Sequence, residues 1–175
     1  MAKKQYYDIS NILQTKAQYM MLLGQRANGK SYQAKKTVLE DSYKNDNKFV
    51  YLRRYKADIK TKAVESYFED MPIAKITKNE YDGIVAWNGT IYFSKINEKG
   101  EKVKGKEIGK YCALNEYERY KSWAFVNFTY ILYEEFITDN IYLTDEPRQL
   151  QQFVSTVARH RQITVLLIGN TLSRV

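Results

Sequence analysis

The stretch Gly24-Gln25-Arg26-Ala27-Asn28-Gly29-Lys30-Ser31 decides how the rest of the chain is interpreted. It matches the phosphate-binding P-loop pattern G-x-x-x-x-G-K-[ST] at every fixed position. The glycines of such a loop let the backbone curl around phosphate oxygens, and N–H groups at the start of a helix face the anion. We therefore predict that residues 24–31 bind ATP, with Lys30 on the β- and γ-phosphates and Ser31 on Mg²⁺.

The flanking sequence has the order that this loop requires. An apolar run at 18–23 predicts a buried strand, and residues 31–40 contain no Gly or Pro and predict a helix. Later strands and helices alternate, which is typical of a mainly parallel sheet. The predicted strands are 48–54, 129–133 and 163–168, and the predicted helices are 58–68 and the segment after Thr144. The predicted fold class is α/β, a RecA-like P-loop NTPase whose sheet is sandwiched by helices.

Residues 82–114 interrupt this alternation. Asn88-Gly89 separates two β-rich runs, 84–87 and 90–94, and is a strong hairpin signal. Residues 104–114 predict a third short strand. We therefore predict one P-loop domain over residues 1–175, with residues 82–114 as an antiparallel β-hairpin that is an insertion in the sheet or a lid on it.

The composition narrows the functional classes. The chain has 175 residues and a net charge of +8, spread over several segments, which favours phosphate-rich partners such as nucleic acid. Its one cysteine, Cys112, excludes an intrachain disulfide and is predicted to lie in the core. No apolar run approaches the length of a membrane span, and the polar start of the chain predicts neither a signal peptide nor membrane association.

A P-loop needs an acidic partner at the end of a neighbouring strand. Glu134-Glu135 follows a run of apolar and aromatic residues and is expected at the carboxyl edge of the sheet, where ligands bind. We predict that Glu134 serves the metal, through water, and that Glu135 is the catalytic base. Asp145-Glu146 looks similar, but those acids begin a helix and complement its dipole, so we reject them.

Arginine is the third component of such sites, because a cation on the γ-phosphate accelerates phosphoryl transfer. On the helix after Thr144, Arg159 projects about 180° from the core stripe, and Arg148 points nearly the same way. Arg159 is therefore predicted to be free to reach a neighbouring subunit. Arg26, within the loop, is the alternative in cis. Asn170 ends a buried strand and is a candidate to contact the γ-phosphate.

Five segments, in this order and spacing, resemble the genome-packaging ATPases of small tailed phages of the phi-29 type. These are P-loop ATPases with an additional catalytic glutamate. The segments are residues 24–31, Tyr51-Leu52-Arg53-Arg54-Tyr55-Lys56, Ile131-Leu132-Tyr133-Glu134-Glu135-Phe136, Val157-Ala158-Arg159 and Ile168-Gly169-Asn170. The resemblance spans nearly the whole chain.

The resemblance implies an ATP-driven motor that translocates double-stranded DNA into a preformed capsid, as a homo-oligomeric ring of usually five subunits. It implies that Lys30 and Ser31 are Walker A residues, that Glu135 is the catalytic glutamate and that Arg159 is a finger given in trans. A lid region near the nucleotide or the next subunit would contain Arg53, Arg54 and Lys56. Through the full-length protein it implies contact with the capsid portal and packaging RNA, in the host cytoplasm at the procapsid vertex.

Two departures from the family pattern are visible. The usual strand end is Asp-Glu, whereas this chain has Glu134-Glu135. The family also carries a C-terminal nuclease-like domain and a further sheet strand, so we expect residues 1–175 to be an isolated or truncated ATPase domain. Alternative readings are a small-molecule kinase, a helicase-like ATPase, or a non-catalytic basic nucleic-acid-binding module with a vestigial P-loop.

Overall fold

A computed structural model describes residues 8–171 of the chain. The strands are β1 (Tyr19–Gly24), β2 (Lys48–Arg53), β3 (Gly83–Trp87), β4 (Thr90–Ile96), β5 (Lys102–Ala113), β6 (Phe128–Glu134) and β7 (Thr164–Asn170). The α-helices are α1 (Ser10–Gln14), α2 (Lys30–Asn45), α3 (Thr61–Tyr67), α4 (Ile73–Ile76) and α5 (Glu146–Ala158). Lys56–Ile59 and Leu114–Ser122 form 3₁₀ helices.

The seven strands form one sheet in the order β1-β7-β6-β2-β5-β4-β3. The pairs from β1 through to β5 are parallel, and only the two pairs that involve β4 are antiparallel. The central strands β2, β6 and β7 are largely buried, as expected of parallel strands covered on both faces. The predicted α/β fold with a mainly parallel sheet is confirmed.

The hairpin of residues 82–114 is present, but it is not a lid. β3 and β4 pair around Asn88-Gly89, as predicted. β5 is a 12-residue strand that pairs antiparallel with β4 and parallel with β2, so the hairpin extends the main sheet at its edge. Of the two alternatives, insertion in the sheet is the one observed, and the pairing of β5 with β2 joins segments distant in sequence, which no local pattern reports.

Helices cover both faces of the sheet. On one face α2, α3 and α4 contribute Val38, Val64 and Ile73, respectively, to a buried cluster. On the other face α5 and the second 3₁₀ helix pack Phe153 and Val157 against the strands. The predicted sandwich is therefore confirmed. Among residues 8–171, none of the helices combines the length and the apolar character needed to cross a bilayer.

Two helix boundaries differ from the sequence predictions. The first long helix continues to Asn45 rather than residue 40, and it ends where Asp46 adopts a left-handed conformation with φ 59°. The predicted helix 58–68 is split, because the extended backbone of Lys60 separates the first 3₁₀ helix from α3. After this break, Tyr67, the last residue of α3, reaches Glu134 at the carboxyl end of β6.

The parallel strands place four functional candidates at one edge. Because β1, β2, β6 and β7 run in the same direction, their last residues Gly24, Arg53, Glu134 and Asn170 lie together at the carboxyl edge. Gly24 is directly opposite Asn170, whereas Glu134 is opposite Ile168, two residues before the end of β7. This edge is where an open α/β sheet binds its ligands.

β1 is an outer strand of the sheet, and among the described residues it pairs only with β7. Its side chains alternate, so Met20 and Leu22 are buried whereas Tyr19, Met21 and Leu23 are exposed. Met21 is 61% exposed. The strand that leads into residues 24–31 therefore presents an apolar row to solvent.

The single cysteine lies in the core, as predicted. Cys112 is fully buried in β5 and makes no disulfide. Burial raises the pKa of its thiol above the ordinary value. A thiol in this state packs as a small apolar side chain.

We expect Gly109→Ala to destabilise the fold by about 1–3 kcal/mol, because a Cβ atom there forces a close contact in a packed strand pair. Gly109 is opposite Phe49, and an added Cβ would lie 2.4 Å from the carbonyl oxygen of Phe49. Urea unfolding measures the change. Lys99→Ala, in the exposed β4–β5 turn, is the control and should stay within about 0.5 kcal/mol of wild type. Equal stability of the two variants would contradict the β2–β5 pairing.

Candidate functional site

The loop of residues 24–31 joins β1 to α2 and depends on both of its glycines. A Cβ atom on Gly24 would lie 2.3 Å from Nδ2 of Asn28. Gly29 is the N-cap of α2 and has φ 91°, a left-handed conformation that glycine adopts without strain. The strand, loop and helix that the sequence predicted around this motif are all present.

Lys30 is folded into this loop. Its side chain is buried, and Nζ donates to the carbonyl oxygens of Gly24 and Gln25 at 3.0 and 2.9 Å. Nζ also lies 3.2 Å from Oδ1 of Asn28 and 3.1 Å from Oδ1 of Asn170. Burial lowers the pKa of Lys30, whereas the charge of Glu134 acts in the opposite direction. The ammonium group thus lies at the centre of the loop, and Asn170 contacts it from the end of β7.

Glu134 is the buried acid of the site. It ends β6 at 7% exposure, and the Tyr67 hydroxyl donates to its Oε1 at 2.5 Å. Burial raises the pKa of Glu134, although hydrogen bonding by the Tyr67 and Ser31 hydroxyls opposes that rise. Ser31 and Glu134, the two residues predicted to serve a metal, therefore lie next to each other.

Glu135 is the exposed acid of the pair. Its backbone has φ 55°, and its carboxylate accepts a hydrogen bond from Nη2 of Arg53 at 2.6 Å. The side chain of Glu135 is 59% exposed, whereas that of Arg53 is 20% exposed. The left-handed turn of the backbone directs two consecutive glutamates to different places, one into the core and one to the solvent side.

These groups surround one cleft of about 480 Å³. The predicted site residues that line it are Arg26, Ala27, Asn28, Gly29, Lys30, Ser31, Arg53, Glu134, Glu135 and Asn170. Gly24 and Gln25 contribute through their carbonyl oxygens to Lys30. A larger cavity, of about 890 Å³ and lined by Tyr111 and Trp123 among others, contains no residue of the loop. We assign the site to the smaller cleft because the charged groups converge there.

Arg54 is not a lid residue. It is 4% exposed and forms a two-pronged ion pair with Glu146, with distances of 2.7 Å from Nε to Oε2 and 2.9 Å from Nη2 to Oε1. Glu146 does begin α5, as predicted, but it is buried and also accepts from the Tyr133 hydroxyl at 2.6 Å. Its main partner is thus the Arg54 guanidinium rather than the dipole of the helix.

Two other basic candidates lie outside the cleft. Lys56 contacts Glu116 at 2.8 Å and lines the larger cavity instead. Arg148 is 71% exposed in the first turn of α5 and lies 3.7 Å from Asp145. Neither residue touches the loop of residues 24–31, so within the described chain the cleft receives basic side chains from Arg26, Lys30, Lys35 and Arg53.

Arg159 is exposed, but it is not a free helical side chain. α5 ends at Ala158, and Arg159 is its C-cap with φ 41°, so the helical projection does not apply. Its Nη2 donates to the carbonyl oxygens of Trp123 at 2.6 Å and Lys121 at 3.4 Å. Because α5 runs back to the start of β7, Arg159 lies at the amino edge of the sheet, opposite the cleft.

Comparison with known proteins assigns the chain to a family. The model of a family described as the podovirus DNA encapsidation protein (Gp16) matches residues 1–175. The chain belongs to this encapsidation family. Its predicted resemblance is thereby confirmed.

The DNA packaging protein of Bacillus phage phi29 is 26% identical over 179 residues, covering 100% of this chain and 49% of that protein. The encapsidation-family chain thus spans about half the length of this relative. The crystal structure of the N-terminal domain of the DNA packaging ATPase from bacteriophage phi29 matches with a TM-score of 0.77 and 26% identity, over 97% of this chain and 81% of that one. The bacteriophage phi29 genome packaging motor assembly matches with a TM-score of 0.75 and 25% identity, over 97% and 48%.

Among the residues that line the cleft, sequence reasoning missed Lys35, Tyr67 and Asp70. Nζ of Lys35 hydrogen-bonds to the Asp70 carboxylate and donates to the Tyr67 carbonyl at 2.7 Å, which ties the end of α3 to α2. Lys35 follows Ser31 by four residues and so shares its helix face, a spacing that could have revealed it. No signal marks Tyr67 or Asp70, because their approach depends on the break at Lys60.

We expect Glu146→Gln to lower stability at neutral pH by about 3 kcal/mol, because it leaves Arg54 buried without its counter-charge. Burial acts to raise the pKa of Glu146, but hydrogen bonds from Arg54, Tyr133 and the Leu143 amide outweigh it, so the pKa lies below its usual value. The ionised carboxylate therefore stabilises the fold above about pH 4.5, and this stabilisation is lost as pH falls through the folded-state pKa.

Thermal unfolding between pH 3 and 7 tests this expectation. The Tm gap between wild type and Glu146→Gln should be widest near pH 7 and should narrow on acidification. Glu98→Gln, in an exposed turn, is the control and should follow wild type. A gap that stays constant with pH would contradict an ionised Glu146.

Proposed function

We propose that this chain is an ATP-hydrolysing motor domain that drives translocation of double-stranded DNA into a preformed capsid. The observation that carries the proposal is the single cleft in which Lys30, Ser31 and Glu135 converge. Membership of the encapsidation family supports the same reading, as does the similarity to a domain of the phi29 packaging ATPase.

The residues of the cleft fit ATP and Mg²⁺. Gly24 leaves space that a Cβ atom would fill, and Lys30 carries its charge within the loop. On binding, Lys30 exchanges some of its contacts with loop carbonyls and Asn170 for phosphate oxygens. Mg²⁺ at phosphate sites takes one or two protein ligands, and Ser31 and Glu134 offer such oxygens. When bound, the metal neutralises charge on the phosphates.

Glu135 is the group that activates water in this proposal. Its carboxylate is exposed at the cleft, which permits contact with a water molecule beside the γ-phosphate. Arg53 holds that carboxylate at 2.6 Å from the side of β2. Glu134 is enclosed by Tyr67 and Ser31 and is less accessible as a base.

Arg159 completes the site of a neighbouring subunit in this proposal. It lies at the edge of the sheet opposite its own cleft, so only another copy brings it to a γ-phosphate. Among residues 8–171, its guanidinium is engaged only through Nη2, by Trp123 and Lys121, which leaves other donors for phosphate. A homo-oligomeric ring, of five subunits by family resemblance, provides such interfaces. Arg26 lines its own cleft and is the alternative in cis.

The proposed binding partners are inferred from the net charge of the chain and from its family. A net charge of +8 attracts DNA phosphates without reading base sequence. Contacts with the capsid portal and packaging RNA belong to the full-length protein in this proposal. The setting is the procapsid vertex in the host cytoplasm during phage assembly.

ATP turnover and nucleotide binding test the assignment of the cleft. Lys30→Ala should weaken binding of a fluorescent ATP analogue about 100-fold, equivalent to about 3 kcal/mol. Glu135→Gln should bind it normally but turn over ATP about 10²–10⁴-fold more slowly. The matched controls are Lys44→Ala, exposed on the same helix, and Glu118→Gln, on the surface. Wild-type turnover that double-stranded DNA leaves unchanged, or that needs a small-molecule acceptor, would count against the motor.

Mixing inactive variants separates Arg159 in trans from Arg26 in cis. Arg159→Ala should lower turnover about 10³-fold or more. Combined with Glu135→Gln, it should recover activity at hybrid interfaces, where intact Glu135 meets a neighbour's intact Arg159. If Arg26 is instead the finger in cis, Arg26→Ala should be inactive and its mixture with Glu135→Gln should recover nothing, because no cleft then contains both groups. Absence of recovery by the Arg159 mixture, while sedimentation shows mixed oligomers, would contradict the trans role.

A further inference from the structure

Glu135 is held in a conformation that its own sequence does not favour. Its φ of 55° is left-handed, and a non-glycine residue there costs about 1 kcal/mol or more unless the surroundings hold it. Directly after it, the Phe136 amide donates to the Ile168 carbonyl on β7 at 3.3 Å. The direction of the Glu135 side chain depends on what fixes this turn.

Arg54 supplies that restraint from β2. Its Nη1 donates to the Glu135 carbonyl at 3.0 Å, and its Nη2 donates to the Phe136 carbonyl at 2.7 Å. The preceding residue, Arg53, binds the Glu135 carboxylate. Two consecutive arginines therefore hold Glu135, one by its side chain and the other by its backbone.

Glu146 fixes Arg54 in turn. Its two carboxylate oxygens accept from Nε and Nη2 of Arg54, and it also accepts from the Tyr133 hydroxyl and the Leu143 amide. The Tyr142 ring lies 4.7 Å from the guanidinium carbon. The network thus closes the loop of residues 135–145 onto the end of β2, although neither member of the ion pair lines the cleft.

We propose that Arg54 and Glu146 are a positioning pair that fixes the Glu135–Phe136 turn and thereby aims the Glu135 carboxylate into the cleft. The inference rests on the proposed role of Glu135 in ATP hydrolysis. A buried ion pair adds little net stability compared with packed apolar residues. Arg54 also donates hydrogen bonds to the backbone carbonyls of Glu135 and Phe136. An ion pair that only stabilised the fold would not need these two bonds.

Arg54→Lys tests the pair, because lysine keeps the charge but lacks the planar fork that reaches Glu146 and two carbonyls together. We expect turnover to fall about 10–100-fold, since a shift near 1 Å costs about 100-fold. The affinity for a fluorescent ATP analogue should change less than about 3-fold, because the residues of the loop 24–31 are untouched. Glu146→Gln should act in the same direction and serves if Arg54→Lys does not fold.

Lys48→Met is the matched control. It removes a partly buried ion pair with Glu107 at 3.1 Å from the opposite end of the same strand, β2. It should lower Tm without lowering turnover at temperatures well below Tm. If it slows turnover as much as Arg54→Lys does at equal loss of Tm, the effect is general loosening and the inference fails.

A second measurement tests whether Arg54 acts on turnover through Glu135. Single-turnover hydrolysis is measured with excess enzyme and labelled ATP. The double variant with Arg54→Lys and Glu135→Gln should hydrolyse ATP within about 2-fold of the rate of Glu135→Gln alone, because the effects of residues acting as a unit are not additive. In the ligand-free protein, Arg54→Lys should speed hydrogen exchange at residues 135–137 and leave β7 unchanged. The same fold-loss in both backgrounds, or unchanged exchange at 135–137, overturns the inference.

The outcomes also separate this inference from the proposed function. A wild-type chain without ATP turnover, or a fully active Glu135→Gln, overturns both. The positioning pair alone is overturned if the wild type is active, Glu135→Gln is inactive and Arg54→Lys hydrolyses ATP at the wild-type rate.

Discussion

The parallel alignment of β1, β7, β6 and β2 is the constraint on which the rest of the molecule depends. Each of these strands ends at the same edge, and each contributes one polar feature there: a glycine loop, an asparagine, a pair of glutamates and a pair of arginines. A shift of one residue in the β6–β7 register would turn Glu134 and Glu135 to opposite faces, because side chains alternate along a strand. Buried runs such as 165–168 fix that register through packing, so the geometry of the site follows from the core.

Much of this arrangement could be predicted from the sequence, because its signals are local. The loop 24–31, the buried strand before Glu134-Glu135 and the strand ending at Asn170 each carry their own pattern, and parallel pairing then brings them together. What could not be predicted depends on distant partners. Arg54 has the charge of a surface residue, and the counter-charge that favours its burial comes from Glu146, 92 positions away. The sequence of β5 likewise predicts only a strand of the hairpin. Its position beside β2 depends on pairing between segments that are distant in sequence.

Local patterns also failed where a helix ends. The projection of Arg159 assumed that α5 continues, whereas the backbone turns left-handed at that residue and its guanidinium finds carbonyls of the 3₁₀ segment. Tyr67 illustrates the reverse case, since a break at Lys60 that carries no glycine or proline brings a tyrosine hydroxyl to Glu134. In both cases the decisive event is a change of backbone direction whose cause lies in tertiary packing rather than in propensity.

The exposed outer side of β1 has a consequence for how the site responds to its surroundings. The backbone of β1 runs directly into Gly24, and Lys30 is bonded to that same carbonyl. Any segment that adds to this edge restrains the strand and the loop together. If strand addition at β1 changes the affinity of Lys30 for an anion, thermodynamic linkage requires that anion binding changes strand addition by the same factor. The six residues of β1 therefore connect a solvent-exposed edge of the sheet directly to the loop that surrounds Lys30.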